Sequence, residues 1–226
     1  LDGKIMGCGK YSILPDGSAW LETLRVVPQA QGNGLGKRLY EHWLKLSEEK
    51  GVKAMRMYTG VNNVVSAGLA RRYGLSLAQT FHGTKMAAPK FESDSTFENI
   101  HDVDEATKLL IPLGEKWGGW MVMNRTYYKW SPELCKWLTE NGMVYRDADG
   151  NMVVMGARFM KDYQLHIGLF DGDITKCLDF AKADASKRNV SIHCLYPDHL
   201  TEIEEALTGY GFNKESSPFI VMEILF

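Results

Sequence analysis

The sequence runs to 226 residues, 45% apolar and 24% charged, with a formal net charge of −2. That length buries one large or two modest cores, and the near-neutral charge offers neither a basic tract for nucleic acid nor a cationic stripe for an anionic membrane. No apolar run reaches the roughly 18 residues of a membrane span, no signal peptide opens the chain, and Cys8, Cys135, Cys177 and Cys194 lie far apart without Cys-x-x-Cys spacing or a nearby His pair. The expectation is a reduced, cytoplasmic, metal-free protein whose partner is a small molecule.

In chain order, Asp2-Gly3 is a turn dipeptide and residues 4–13 read as a strand whose partner would precede it, so an upstream segment is expected. After the turn Pro15-Asp16-Gly17, residues 19–27 alternate Trp20, Glu22, Leu24 and Val26 against Leu21, Thr23, Arg25 and Val27. Residues 37–50 carry Leu39, Tyr40, Trp43, Leu44 and Leu46 at the helical period and stop at Gly51. Residues 52–58 form a strand, 63–73 a short helix ended by Gly74, and 76–85 another strand. Composition turns small and polar over residues 87–95, which divides the chain into domains 1–90 and 91–226.

Between the second strand and the first helix lies Gln31-Gly32-Asn33-Gly34-Leu35-Gly36-Lys37. Its glycines let backbone N–H groups approach a ligand, and the helix that follows aims its positive dipole end at the same place, a seat for phosphate. A P-loop is excluded, because three residues rather than four separate Gly32 from Gly36, and Arg38 follows Lys37 where Ser or Thr is needed. A dinucleotide fingerprint is excluded by the Gly-x-Gly-x-Gly spacing and by the lack of an acidic residue ending the 52–59 strand.

The strand, the Pro28 turn, the Gln-x-x-Gly-x-Gly loop and the strand and helix after it resemble the GNAT superfamily of acetyl-CoA-dependent N-acetyltransferases. The resemblance implies an α/β fold with a mixed sheet, acetyl-CoA as cosubstrate, and a small primary amine as acceptor. It also implies that the loop, from Gln31 to Lys37, wraps the coenzyme A pyrophosphate, and that main-chain amides of Leu24, Arg25, Val26 and Val27 hold the pantetheine arm. An attacking amine must lose a proton, and the departing sulfur takes or tolerates one. By resemblance Glu22 is the candidate base, against the alternative of an ordinary salt-bridged strand glutamate. Many family members place a coenzyme A-binding Asn seven residues before a catalytic Tyr; Asn63 matches, but Ala70 stands where the Tyr would be. Tyr58 is the substitute acid, Tyr73 reads as packing, and Arg72 is a candidate phosphate ligand.

The second half repeats the plan. Asp149-Gly150 echoes Asp2-Gly3, residues 173–187 occupy the place of the first long helix, and Tyr73-Gly74-Leu75 is matched by Tyr210-Gly211-Phe212. The start of the preceding strand lies 22 residues before Gly74 and 21 before Gly211. Residues 96–148 are expected to be helical, with helices at 105–113 and 133–140, so a comparable segment is expected ahead of the first copy, in a protein of roughly 280 residues. The second copy has Asp171-Gly172-Asp173 where the phosphate loop would be, which predicts a degenerate domain without coenzyme A.

Among tandem GNAT proteins the chain is most similar to the histidine N-acetyltransferase type, on residues 21–26, on Arg72-Tyr73-Gly74-Leu75 and on residues 128–146. That implies a free amino acid as the acceptor. A non-catalytic acyl-CoA sensor is the alternative; aminoacyl transfer from a charged tRNA is disfavoured by the mild acidity.

Overall fold

A computed structural model describes residues 3–94 and 96–226, so the expectations for Leu1 and Asp2 lie outside the described residues. The chain forms two compact units, residues 1–80 with 219–226, and residues 81–218.

In the first unit the elements are β1 (Gly7–Ile13), β2 (Ala19–Val26), α1 (Leu35–Lys50), β3 (Ala54–Gly60), α2 (Val64–Arg72) and the opening of β4 (Ser76–Met86). The expected elements are all present, each within a few residues. β1 pairs antiparallel with β2, and β2 runs parallel to β3. α1 presents Tyr40 and Trp43 to a core that includes Leu21, Met55, Met57, Leu75 and Met222, with α2 adding Ala67 and Ala70. A Cβ at Gly9 would lie 2.3 Å from the Trp43 ring, so β1 admits no side chain there.

The second unit continues with β5 (Glu98–Asn99), α3 (Val103–Lys116), β6 (Trp120–Met123), β7 (Thr126–Lys129), α4 (Pro132–Glu140), β8 (Val144–Arg146), β9 (Met152–Gly156), β10 (Gln164–Asp171), α5 (Ile174–Arg188), β11 (Ser191–Pro197), α6 (Thr201–Gly209) and β12 (Asn213–Lys214). Its sheet places the last residues of β4 beside β11, then β10, β9, β8 and β5. Trp117, Trp120, Tyr127 and Tyr128 are buried in this unit's core, so they serve packing. The expected helices are α3 and α4. Between them stands a hairpin, β6–β7, which the helical reading of residues 96–148 lacked; its turn residues Asn124 and Arg125 both have positive φ.

The closing strand, β13 (Phe219–Leu225), belongs to the first unit. It pairs antiparallel with β3 from Phe219↔Gly60 to Leu225↔Ala54 and lies beside β4. The compositional break at residue 90 therefore marks a loop, while the units divide within β4 and the first unit draws its last strand from the C-terminal end of the sequence. No helix among the described residues is long and apolar enough to cross a membrane.

Candidate active site

β2 and β3 pair only through Ala19↔Met55, Trp20↔Arg56 and Leu21↔Met57, although β2 continues to Val26 and β3 to Gly60. Beyond Leu21 and Met57 the two strands run without a shared ladder, which leaves main-chain groups available for a ligand. Glu22 and Tyr58 each follow the last ladder pair. They therefore stand level with one another, and pleat alternation puts both on the face opposite Leu21 and Met57, away from α1.

A bulge in β2 accompanies this parting. Lys10 pairs with Glu22 and Cys8 with Arg25, so Thr23 and Leu24 together oppose the single residue Gly9, and Thr23 has φ 53°. A β-branched residue at positive φ is a backbone outlier that its surroundings must hold. Because directly paired residues share a face, Arg25 joins Cys8, Lys10 and Glu22, while Leu24 passes to the α1 side and packs on the core. The simple alternation expected for residues 19–27, with Leu24 beside Glu22, is corrected by this one extra residue.

Around Tyr58 the neighbouring strands supply two rings. Trp20, fully buried, stacks on it at 6.0 Å between centroids with planes 2° apart, and Phe219 of β13 meets it edge-on at 6.2 Å. Glu22 is 14% exposed and its Oε2 lies 2.8 Å from Lys10 Nζ, the salt-bridged state that the sequence left open as an alternative. Sequence reasoning missed Arg56, which bridges Asp16 Oδ2 at 2.7 Å and Glu223 Oε2 at 2.5 Å and ties the 15–17 turn to β3 and β13. The available signal was a lone arginine inside the apolar run Ala54-Met55-Arg56-Met57.

After β2 the chain enters a short 3₁₀ turn, Pro28–Ala30. Gln31 Nε2 donates back to Val26 O at 3.2 Å, fastening the loop to the strand end. Gly32 and Gly34 have φ of 80° and 74°, conformations that favour glycine. Gly36 has a different reason: a Cβ there would lie 3.2 Å from Leu69 Cδ2, so its absence lets α1 approach α2. Among the described residues no acceptor takes the amides of Gly32, Asn33, Gly34, Leu35, Gly36 or Lys37. These consecutive donors at the positive end of α1 make an anion seat.

The remaining candidates are more scattered. Val27 N–H is already bonded to Met6 O at 2.9 Å, so that amide is removed from the proposed cofactor contacts, while Leu24, Arg25 and Val26 lie along the stretch of β2 that shares no ladder with β3, Arg25 and Val26 being paired with Cys8 and Gly7 of β1. Asn63 caps α2, its Oδ1 accepting from Ser66 N at 3.2 Å. Ala70 is fully buried, and Tyr73 stacks on Tyr40 at 5.1 Å, a packing role. Lys37 pairs with Glu41 at 3.7 Å, and Arg72 is exposed in the last turn of α2 without a hydrogen bond or ion pair among the described residues. No cluster of three metal-ligating side chains occurs among the described residues.

The second unit has the same backbone plan with its openings filled. β10 carries a bulge between Ile167 and Leu169, and its ladder with β11 ends at Ile167↔Cys194. Trp117 Nε1 donates to Phe170 O at 3.2 Å, and Met121 Cγ lies 2.9 Å from where a Cβ of Gly168 would be. Asp173 caps α5 by accepting from Lys176 N at 3.1 Å, and its own N–H goes to Asn151 Oδ1 at 2.7 Å. Of the donors at this helix start, the N–H groups of Asp173 and Lys176 are thereby committed. In the same unit burial holds the His166 imidazole well below the usual histidine range, at about 3, with the charges of His193 and Arg125 acting in the same direction.

A model of the acetyltransferase (GNAT) family matches residues 1–75. The matched stretch lies within the first unit. Its relatives include the mycothiol acetyltransferase of Arthrobacter sp. (strain FB24), 39% identical over 62 residues. That match takes in 26% of this chain and only 19% of the relative. Over the whole chain the fold is a tandem GNAT arrangement. A tandem GNAT protein from the clavulanic acid biosynthesis pathway superimposes with a TM-score of 0.60 at 12% identity, over 99% of this chain and 80% of its own. A GCN5-related N-acetyltransferase from Sphaerobacter thermophilus gives 0.59 at 12% identity, over 99% and 78%.

Proposed function

We propose that the chain is an acetyl-CoA-dependent N-acetyltransferase acting on a primary amine of a small molecule, with a free amino acid as the first acceptor class. The observation that carries this reading is the run of amides from Gly32 to Lys37 without an acceptor among the described residues, next to two strands that part after Leu21 and Met57. The match of residues 1–75 to the GNAT family model supports acetyl transfer in general. The loop amides and those of Leu24, Arg25 and Val26 would hold acetyl-CoA, with Asn63 and Arg72 as further candidates from the family resemblance. Bound, acetyl-CoA supplies a thioester carbonyl.

Glu22 would take one proton of the acceptor ammonium, directly or through water; as the C–N bond forms and the C–S bond breaks, Tyr58 would give a proton to the departing sulfur and recover one from the nitrogen of the new amide. Titration calorimetry with coenzyme A and acetyl-CoA, followed by thiol release over a panel of amino acids and polyamines, tests the proposal. Micromolar binding of both carriers and acceptor-dependent thiol release are expected, with Glu22→Gln lowering kcat and leaving acetyl-CoA binding intact. No heat with either carrier would sink it. The Lys10 pairing of Glu22 and Ala70 in the place of the usual Tyr favour a second reading, a non-catalytic acyl-CoA sensor. Binding of the carrier without turnover of any acceptor would select it.

A further inference from the structure

We infer that the side chain of Arg25 is the specificity residue that takes the carboxylate of an amino-acid acceptor. This rests on the acetyltransferase reading of the first unit. The bulge is what places Arg25: without the extra residue it would share the face of Leu21 and the core, but pairing with Cys8 puts it on the face of Glu22. On that face Glu22 and Arg25 are spaced as their partners Lys10 and Cys8 are, two residues apart on β1, or about 7 Å between Cα atoms. A guanidinium and the candidate base therefore flank one edge of the opening.

Arg25 is exposed, and the only hydrogen bond of its side chain among the described residues is from Nη1 to Leu24 O at 3.3 Å. Among the described residues no carboxylate pairs with it. Across the ladder stands Cys8; Glu22 is engaged by Lys10, and Asp16 and Glu223 by Arg56. An unmatched guanidinium on a strand presents a planar fork of donors suited to a bidentate carboxylate. With the amine at Glu22 and the carboxylate at Arg25, an α-amino acid spans the two groups.

Matched acceptors that differ by the carboxylate test this: alanine against ethylamine, histidine against histamine, and phenylalanine against phenethylamine, assayed by thiol release from acetyl-CoA with the whole chain. A charge-assisted pair predicts kcat/KM about tenfold to a hundredfold higher for the acid member. Arg25→Gln should abolish that preference through the acceptor KM while the acetyl-CoA KM stays put, and Arg25→Lys should restore part of it. Equal turnover of the bare amines would overturn the inference. So would an Arg25→Gln effect confined to the acetyl-CoA KM, which would move the side chain to the cofactor, or failure to acetylate any acid member while acetyl-CoA binds. Absence of acetyl-CoA binding in calorimetry would remove the cofactor reading and this inference together.

Discussion

Thr23 offers a direct test of the bulge that shapes the opening. An L-residue in the left-handed region costs about 1–2 kcal/mol, and Thr23, at φ 53°, is exposed, so little packing offsets that cost. In Thr23→Gly the strain disappears, while the greater freedom of glycine in the unfolded chain returns about 0.5–1 kcal/mol. The net expectation is a stabilisation of about 0.5–1 kcal/mol, worth roughly 1–4 °C in melting temperature for a chain of this size. Calorimetry and urea unfolding measure it, and coenzyme A titration alongside should show affinity retained because the bulge is kept. An ordinary mid-strand glycine would destabilise by about 0.5–1 kcal/mol instead. A lowered melting temperature would therefore mean that Thr23 is unstrained and that the ladder runs through without the extra residue.

Further outcomes follow from other sites. Arg56→Met should cost about 3–5 kcal/mol in urea unfolding, since it strands Asp16 and Glu223 without their shared cation, and adding Asp16→Asn with Glu223→Gln should recover most of it. His166 titrates near 6.5 when unfolded and at about 3 when folded, so its contribution is complete above pH 6.5 and drains away as the pH falls toward 3. Stability measured at pH 5 should be lower by about 2 kcal/mol, and His166→Phe should flatten that slope; an unchanged slope would refute the assignment. Gly36→Val should press on Leu69, cost about 1–3 kcal/mol of stability, and weaken coenzyme A binding by displacing the first turn of α1.

The loop was legible because glycine spacing before a helical period has few other uses, and the order of strands and helices followed from residues with clear periodicity. The bulge was hidden: threonine is a strand former, and nothing in Leu21-Glu22-Thr23-Leu24 announces a left-handed residue. The face of Arg25 was hidden with it. The β6–β7 hairpin escaped for a similar reason, since its turn uses Asn124-Arg125, and arginine is a poor cue for positive φ. The destination of β13 was out of reach because the apolar run Phe219–Leu225 fits either sheet, and only long-range pairing with β3 decides.

That pairing sets a timetable for biogenesis. Residues 54–60 leave the ribosome well before residues 219–226, so the edge of β3 stays unsatisfied until β13 emerges and completes it. A product interrupted at Pro218 would keep the loop and most of its helix partners but expose a sticky strand edge. Such a fragment should be captured by chaperones or aggregate rather than persist as a folded unit.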